Sequence, residues 1–374
     1  MRERVAVLGA GPAGLSAAAE LRRGGVDPLV VDRADSVGAS WRGHYDRLHL
    51  HTARQLSQLP GLRMPRRYGR YVARDDVVDY LERYAAHHHL RTRLVTEVRR
   101  LDRADTGWQL RTDRGDLLVD QVVVATGYNH TPFLPDWPGR DGFTGELLHA
   151  SAYRNAAPYS GRDVLVVGAG NTGAEIAVDL VEGGARTVRL AVRTPPNIVR
   201  REVGGLPTQA VSILVRHVPP PVVDRMIRVV QRATVPDLAE VGLPRPEVGV
   251  YTRIVRDGAI PILDVGFIDA VRRRQVEVVA AVVALDGREV ALAGGDRVSP
   301  DAVIVAAGYR RGLESLVGHL GVLDPAGRPR VAGARTDPAA PGMWFTGYTT
   351  PISGMFRELA IDARRIARAI RREV

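Results

Sequence analysis

One glycine pattern occurs twice in this chain, and the repeat restricts the possible folds more than any other sequence feature. Each copy has a short β-branched apolar run, then Gly-x-Gly-x-x-Gly, then a helix-forming segment of small residues, and a second apolar run follows at 28–32 or 187–193. The two triads are Gly9, Gly11 and Gly14, and Gly168, Gly170 and Gly173. The pattern predicts two βαβ units, and so an α/β chain with two Rossmann-like dinucleotide-binding domains.

Three further apolar runs end in small residues and Gly-Tyr, at 121–128, 302–309 and 343–348. Alternating residues at 93–119 predict a β-hairpin before the first of these runs. We therefore predict that residues 1–155 and 300–374 form one domain and that residues 156–299 form a second domain inserted into it. Within the inserted domain, residues 200–260 are rich in proline, lack strand periodicity and predict a helical insertion.

Composition excludes several classes of chemistry. The chain has 374 residues, 45% of them hydrophobic, and no cysteine, which excludes thiol nucleophiles, disulfides and iron–sulfur clusters. Any redox chemistry must then come from a bound cofactor. All 52 basic residues are arginine and the net charge is +10, but acidic residues are interleaved throughout. A mixed-charge surface is therefore favoured over nucleic-acid binding.

Neither a membrane span nor a metal site is predicted. No apolar run reaches the roughly 18 residues of a transmembrane helix, and the amino terminus is typical of a strand and not of a signal peptide. We therefore expect a cytoplasmic protein. Three consecutive histidines at 87–89 lie on a predicted helix, where neighbours diverge by about 100°, so they cannot share one metal ion.

The first triad has the context that dinucleotide binding requires. The strand must enter a tight turn at Gly9, Gly11 must let the backbone approach a pyrophosphate, and Gly14 must let the helix pack against the strand. The second strand ends at Asp32, where an acid can accept hydrogen bonds from both ribose hydroxyls. The predicted contact residues are Gly9, Gly11, Pro12, Ala13, Gly14, Asp32 and Arg33.

The second triad differs at the end of its second strand, where Arg193 and Thr194 stand in place of an acid. An acid would repel a 2′-phosphate, whereas a guanidinium can bind it through two hydrogen bonds. This favours NADPH over NADH, with a plain surface arginine as the alternative; Arg200 and Arg201 are weaker candidates. The predicted contact residues are Gly168, Gly170, Asn171, Thr172, Gly173, Arg193 and Thr194.

The residue that would contact the ribose is Asp32 in the first copy and Arg193 in the second. This difference indicates two different dinucleotides. A nicotinamide is a two-electron hydride donor, and a flavin can accept that hydride and then react with oxygen. The pairing that these chemistries favour is FAD in the outer domain and NADPH in the inserted domain.

Several ordered motifs resemble the flavin-containing monooxygenases, which are class B flavoprotein monooxygenases. Residues 143–153 carry Phe-x-Gly-x-x-x-His-x-x-x-Tyr just before the second triad, and residues 125–128 read Ala-Thr-Gly-Tyr. The segment 41–51 resembles the plant YUCCA-type branch, as do the stretches 242–246, 261–266 and 361–367. The first motif ends in Tyr153, where the Baeyer–Villiger branch has a tryptophan.

This resemblance implies that NADPH reduces FAD, that oxygen then adds to give a C4a-(hydro)peroxyflavin, and that a small organic substrate is oxygenated. It implies a place near the reactive centre for His51, with Gln55 as a second candidate; a structural, hydrogen-bonding histidine is at least as strong an alternative. His149 and Tyr153 are expected to be mainly structural. The remaining implied FAD contacts are Trp41, Arg42, Val98, Ala125, Thr126 and Gly127.

The substrate class stays open at this point. The YUCCA-like motifs favour oxidative decarboxylation of an α-keto acid, and nitrogen or sulfur oxygenation and Baeyer–Villiger insertion are alternatives. Two further hypotheses are a reductase that passes electrons from NADPH through FAD to a protein partner, and a dinucleotide sensor without turnover. The expected partners are a small-molecule substrate and molecular oxygen, with a homodimer as a further hypothesis.

Overall fold

The computed structural model describes residues 2–373. In chain order, its α-helices are α1 Pro12–Arg23, α2 Ala39–Arg42, α3 Arg74–His87, α4 Asn171–Glu182, α5 Thr208–Val215, α6 Pro220–Thr234, α7 Val250–Asp257, α8 Phe267–Arg272, α9 Glu314–Val317 and α10 Met355–Glu373.

The strands are short and are distributed along the whole described range. They are β1 Arg2–Leu8, β2 Leu29–Val31, β3 Arg91–Arg93, β4 Val98–Arg103, β5 Trp108–Thr112, β6 Leu117–Val124, β7 Thr131–Pro132, β8 Glu146–His149, β9 Asp163–Val167, β10 Thr187–Val192, β11 Ile198–Arg200, β12 Glu202–Val203, β13 Leu206–Pro207, β14 Ile262–Asp264, β15 Val276–Ala280, β16 Val282–Asp286, β17 Glu289–Leu292, β18 Arg297–Val298, β19 Ala302–Val305, β20 Tyr309–Arg310 and β21 Met343–Phe345.

The first compact unit comprises the described residues up to Gly43, residues 52–131 and those from Tyr309 onward. Its sheet has the order β3-β2-β1-β6-β5-β4, and β21 also pairs with β6. The sheet forks at β6, because residues 117–119 pair with antiparallel β5 whereas residues 122–124 pair with parallel β21. A parallel sheet thus continues into an antiparallel meander through one strand.

Both faces of this sheet are covered, which explains why its central strands are almost entirely apolar. Val5 and Val7 pack with Ile366 and Ile370 of α10, on the face that α1 also covers. The opposite face packs against the β4-β5 meander and α9, through a cluster that contains Trp108. The βαβ unit predicted around the first triad is confirmed, and the predicted hairpin becomes three-stranded because its second run breaks at a turn after Thr112.

The second compact unit comprises residues 44–51 and 132–308. Its main sheet is wholly parallel, with the order β15-β10-β9-β19-β8. Helices α4 and α8 pack on one face, in a cluster that contains Ile176 and Phe267. The other face packs against the antiparallel meander β16-β17-β18 through Val290 and Leu292. In each unit, the helix that follows the glycine loop (α1 or α4) therefore packs on one face of the parallel strands, and an antiparallel meander packs on the other.

The unit boundaries lie away from those predicted near 155 and 300, for a physical reason. Strands β8 and β19 are hydrogen-bonded neighbours, with Ala302 opposite Glu146 and Val305 opposite His149. They complete the second sheet, so the second unit begins before β8 and ends after β19. Because β19 ends in Gly-Tyr like β6, the sequence pattern favoured its placement in the outer domain.

Candidate functional site

The loop Gly9–Gly14, which we call the first cradle, is held by backbone contacts that only glycine permits. Gly9 has a φ of +110°, and a Cβ there would lie 2.4 Å from the carbonyl oxygen of Ala125. A Cβ on Gly14 would lie 1.8 Å from the carbonyl oxygen of Gly9. Gly11 differs, since the nearest atom to its Cβ position is Ser40 Oγ, at 4.0 Å. The space beside Gly11 is therefore open to a ligand.

The amino end of α1 supplies hydrogen-bond donors to this space. Gly11 is the N-cap residue and no side chain caps the helix. The first backbone hydrogen bond runs from the N–H of Leu15 to the carbonyl of Gly11, and Pro12 has no N–H. The N–H groups of Ala13 and Gly14 thus have no partner within the helix. With the positive end of the helix dipole, they suit a pyrophosphate.

Asp32 follows β2 and reaches back to the first cradle. Its Oδ2 accepts a hydrogen bond from the N–H of Ala10 at 2.5 Å, and its Oδ1 accepts one from the N–H of Ala34 at 2.8 Å. A carboxylate offers about four acceptor positions, so about two remain for ribose hydroxyls. Arg33, beside it, is exposed. The residues of the first cradle thus fit an adenine dinucleotide.

The loop Gly168–Gly173, which we call the second cradle, repeats this geometry in the second unit. Gly168 has a φ of +114°, and a Cβ there would lie 2.5 Å from the carbonyl oxygen of Ala306. A Cβ on Gly173 would lie 1.9 Å from the carbonyl oxygen of Gly168. No heavy atom lies within 4 Å of the Cβ position of Gly170, the uncapped N-cap of α4. This cradle also fits a dinucleotide.

The side chain of Asn171 belongs to the scaffold of the second cradle. Its Nδ2 donates to the carbonyl of Pro261 at 3.0 Å, and its Oδ1 accepts from the N–H of Leu263 at 2.7 Å. These bonds fasten β14 to the start of α4. The predicted ligand contact of Asn171 would then come from its backbone N–H, and Thr172 presents the next N–H.

Two of the three arginines considered for a 2′-phosphate, Arg193 and Arg200, differ in the contacts that they already make. Arg193 and Thr194 directly follow the strand and are exposed. Arg200 is engaged elsewhere, since its Nη1 donates to Asp264 Oδ2 at 2.6 Å and its Nε donates to the carbonyl of Thr234 at 3.2 Å. The Asp264 side chain is 1% exposed, so this ion pair is internal to the fold. Arg200 is therefore a poor phosphate ligand, and Arg193 is the better candidate.

Two side chains meet a buried carboxylate on α4. Glu175 is 4% exposed; its Oε2 accepts a hydrogen bond from the Tyr45 hydroxyl at 2.9 Å, and its Oε1 lies 2.9 Å from His51 Nε2. Burial, and then the Glu175 charge, raise the pKa of Tyr45 above its ordinary value, so the hydroxyl stays protonated and donates. We call Tyr45, His51 and Glu175 the Glu175 cluster. Glu175 lies two residues after Gly173, so the cluster is beside the second cradle.

His51 has one nitrogen that the described part of the chain does not satisfy. Its Nδ1 is buried without a hydrogen-bond partner, and the Nε2 contact to Glu175 has the distance of a hydrogen bond without its geometry. A buried polar atom left unpaired costs about 1–3 kcal/mol. The arrangement therefore favours a ligand atom as the partner of His51.

The rest of segment 44–51 is also fastened within the second unit. Arg47 Nη1 donates to Glu182 Oε2 at 2.9 Å, and Asp46 accepts a hydrogen bond from Asn155 Nδ2 at 2.7 Å. The N–H of Asp46 donates to the carbonyl of Arg154 at 2.8 Å. The polar motif of the segment thus joins it both to α4 and to residues 154–155.

His149 and Tyr153 have hydrogen bonds that suit the structural role expected for them. The N–H of Ser151 donates to His149 Nδ1 at 3.0 Å, and His149 Nε2 lies 3.0 Å from the carbonyl of Gly308. Burial lowers the pKa of His149, which favours the neutral ring that this pattern requires. The Tyr153 hydroxyl donates to Asp179 Oδ2 at 2.6 Å.

The other predicted FAD contacts lie in the first unit. Thr126 Oγ1 is 2.8 Å from the hydroxyl of Tyr348, and burial raises the pKa of Tyr348 to about 12. The Trp41 ring packs edge-on against Phe356, with 5.8 Å between the ring centroids. Ala125 and Gly127 follow the end of β6, and Val98 packs against the core cluster that contains Trp108. Arg42 forms an ion pair with Glu82, and Gln55 is exposed on the turn 54–56.

Sequence reasoning did not single out Glu175. Its one available signal was an acid between Ala174 and Ile176, on a helix whose buried positions are otherwise apolar or small. A buried acid in such a place needs partners, but the partners come from residues 45 and 51, far away in the chain. Among residues 2–373, no group of acidic and histidine side chains could hold a metal ion, and no helix is long and apolar enough to cross a membrane.

Comparison with known proteins identifies relatives of this chain. A family model described as pyridine nucleotide-disulphide oxidoreductase matches residues 6–203. The chain is 36% identical over 314 residues to indole-3-pyruvate monooxygenase YUCCA1 of Oryza sativa subsp. japonica, covering 83% of this chain and 77% of the relative.

Solved structures show the same architecture. A flavin-containing monooxygenase from Stenotrophomonas maltophilia is 26% identical and superposes with a TM-score of 0.74, covering 100% of this chain and 99% of that chain. The complex of OTEMO with FAD and NADP has a TM-score of 0.75 at 16% identity, over 99% of this chain and 84% of that chain, and so shows the fold alone.

Alanine substitutions at two glycines of the second cradle should separate an effect on folding from an effect on ligand binding. Gly170→Ala adds a methyl group to open space, so the protein should fold with an unchanged melting temperature but bind NADP⁺ about tenfold or more weakly, since one lost phosphate contact is worth about 1.4 kcal/mol. Gly173→Ala places the same methyl group against backbone and should lower the melting temperature itself. Calorimetric titration and thermal unfolding measure the two effects. Equal affinity of Gly170→Ala and the parent protein would contradict the assignment.

Two glutamates on α4 provide a matched pair for the Glu175 cluster. Glu175→Gln keeps the side-chain shape but replaces one acceptor oxygen by an NH₂ group, which can only donate. It should lower the free energy of unfolding by about 1–3 kcal/mol. Glu182→Gln, at a side chain that is 63% exposed and paired with Arg47, should change it by about 0–1 kcal/mol. Urea unfolding measures both. Similar values for the two variants would show that the buried cluster does not stabilise the second unit.

Proposed function

The chain belongs to the flavin monooxygenases, and we propose that it catalyses the oxidative decarboxylation of an aryl α-keto acid such as indole-3-pyruvate. Family membership confirms the resemblance to the YUCCA-type branch, and the chain is an FAD- and NADPH-dependent monooxygenase that oxygenates a small substrate. One observation carries the substrate: the relative that acts on indole-3-pyruvate matches 83% of this chain.

The proposed reaction balances without another oxidant. The α-keto acid, O₂, NADPH and a proton give the shorter carboxylic acid, CO₂, NADP⁺ and water. The bond between the keto carbon and the carboxylate breaks, a new bond joins the keto carbon to one oxygen atom of O₂, and the second oxygen atom leaves as water. NADPH supplies the two electrons that reduce this second atom.

We assign FAD to the first cradle and NADPH to the second. The unlike ribose ends support this, because the Asp32 carboxylate accepts from hydroxyls and repels a 2′-phosphate, whereas Arg193 attracts one. When bound, FAD accepts a hydride and activates oxygen, and the protein supplies position and electrostatics. The N–H groups of Ala13 and Gly14 would hold one pyrophosphate, and those of Asn171 and Thr172 the other.

We also propose that His51 contacts a ligand through Nδ1. Glu175 Oε1 lies 2.9 Å from the opposite nitrogen, Nε2, and the unpaired Nδ1 is available for a hydrogen bond from substrate or nicotinamide nucleotide. Gln55 stays a weaker prediction, because it is exposed on its turn. A homodimer and a cytoplasmic location also stay predictions.

The test of the substrate must exclude hydrogen peroxide, which itself decarboxylates α-keto acids. The holoenzyme is therefore given indole-3-pyruvate, NADPH and ¹⁸O₂ in the presence of catalase. We expect one ¹⁸O atom in the carboxylate of the product acid and one CO₂ per NADPH oxidised. Product that disappears when catalase is added would show an NADPH oxidase that only releases peroxide.

The same assay separates the alternative functions. Oxygenation of a tertiary amine or thioether without turnover of the keto acid would assign nitrogen or sulfur oxygenation. Conversion of a cyclic ketone to a lactone would assign Baeyer–Villiger insertion. Electron transfer to an added acceptor protein without labelled product would assign a reductase.

Arg193 should decide the choice between the two nicotinamide nucleotides. Arg193→Ala removes a charge-assisted contact worth about 1.5–3 kcal/mol, so kcat/KM for NADPH should fall about 10- to 100-fold while that for NADH stays nearly constant. Arg288→Ala, at a side chain that is 75% exposed in the same unit, is the control for loss of general positive charge. Steady-state NADPH and NADH oxidation measures the ratio. Equal losses with both nucleotides would show that Arg193 does not bind the 2′-phosphate.

A further inference from the structure

Most of the large apolar side chains that the described part of the protein exposes to solvent lie in the proline-rich insertion, residues 200–260. Within residues 2–373, fourteen large hydrophobic residues are exposed, and ten of them lie between Val203 and Ile260. The largest exposed fractions are 80% for Leu214 of α5 and 66% for Val229 of α6. Such a concentration on one segment marks an interaction surface, since isolated exposed apolar residues are otherwise scattered.

Helix α6 divides into three faces at helical spacing. The inner face is fastened to the second unit: Asp224 accepts a hydrogen bond from the N–H of Tyr251 at 2.6 Å, and Gln231 Nε2 donates to the carbonyl of Ile198 at 2.7 Å. These two hydrogen bonds hold the inner face of α6 against the second unit.

The outer face carries an apolar stripe, which we define as Val222, Met226, Val229 and Val230, at positions i, i+4, i+7 and i+8. These residues are 50%, 53%, 66% and 45% exposed. The preceding helix α5 adds Val211 and Leu214, which are 46% and 80% exposed. Two consecutive helices thus present apolar side chains to solvent.

An arginine row borders the stripe on the same helix. It comprises Arg225, Arg228 and Arg232, at positions i, i+3 and i+7, and all three are exposed. The single acid of α6, Asp224, lies on the inner face and is 6% exposed. The outward surface of α6 is therefore purely apolar and cationic, which is the composition of helices that lie in the interface of an anionic membrane.

We propose that α5 and α6 form a peripheral docking surface for an anionic lipid bilayer. Charge complementarity selects this partner over a second copy of the chain. In a two-fold dimer the same patch meets itself, so arginine rows of equal sign would be brought together on both copies. Lipid phosphates neutralise the arginine row, and the acyl-chain region of the bilayer contacts the apolar stripe. Neither helix contains a residue of the first or second cradle.

The test uses the FAD-loaded protein and sedimentation with two kinds of vesicle, phosphatidylcholine alone and phosphatidylcholine mixed with phosphatidylglycerol. We expect binding to the mixed vesicles, weakened by salt, and little binding to phosphatidylcholine alone. Each arginine near an anionic surface contributes about a fivefold factor in partitioning. The triple change R225Q, R228Q and R232Q should thus lower binding by about 100-fold.

Two matched controls separate this surface from the general positive charge. The triple change R364Q, R365Q and R368Q removes three exposed arginines from α10, whose apolar face is buried, and should leave vesicle binding nearly unchanged. The pair M226Q and V229Q should lower binding, whereas V283Q, at a residue 46% exposed on β16, should not. Thermal unfolding of each variant confirms that the fold is intact.

Three results would overturn the proposal. The first is no binding to the mixed vesicles at low salt. The second is equal loss of binding in the α6 and α10 arginine variants, which would indicate non-specific charge attraction. The third is a dimer, detected by analytical ultracentrifugation without lipid, that M226Q and V229Q dissociate; this would assign the surface to a second copy of the chain.

Discussion

The close contact of backbone against backbone inside each glycine loop is the constraint on which the rest of the structure depends. Gly14 lies against the carbonyl of Gly9, and Gly173 lies against the carbonyl of Gly168, with no room for a Cβ in either loop. This contact brings the helix onto the strand and leaves its first N–H groups without partners. The same geometry therefore builds the βαβ core and creates the anion site at its edge.

The two units repeat one architecture, and they differ where their ligands should differ. In each, the helix after the glycine loop packs on one face of the parallel strands and an antiparallel meander packs on the other. An acid follows the second strand of the first unit, whereas an arginine follows that of the second. Two similar folds with different residues at the ribose position allow one chain to hold two different dinucleotides. In this family, that pair is a flavin and a nicotinamide nucleotide.

Local sequence patterns predicted the features that depend on interactions between residues close together in the chain. The triads, the strand ends at Asp32 and Arg193, and the fold class follow from spacing and apolar periodicity, which act over a few residues. The placement of β19 did not follow, because its pairing with β8 joins residues far apart in the chain. The Glu175 cluster was missed for the same reason, and the commitment of Arg200 to Asp264 depends on burial that no local pattern reveals.

The claim that two unlike cradles hold two different cofactors is tested most directly by hydrogen–deuterium exchange of the apoprotein with each cofactor added separately. FAD should slow exchange in peptides that contain residues 9–14 and 29–34. NADP⁺ should slow exchange in peptides that contain residues 168–173 and 190–195, and should do so equally when FAD is already bound. Protection of the same loop by both cofactors, or of residues 9–14 by NADP⁺ alone, would contradict the account.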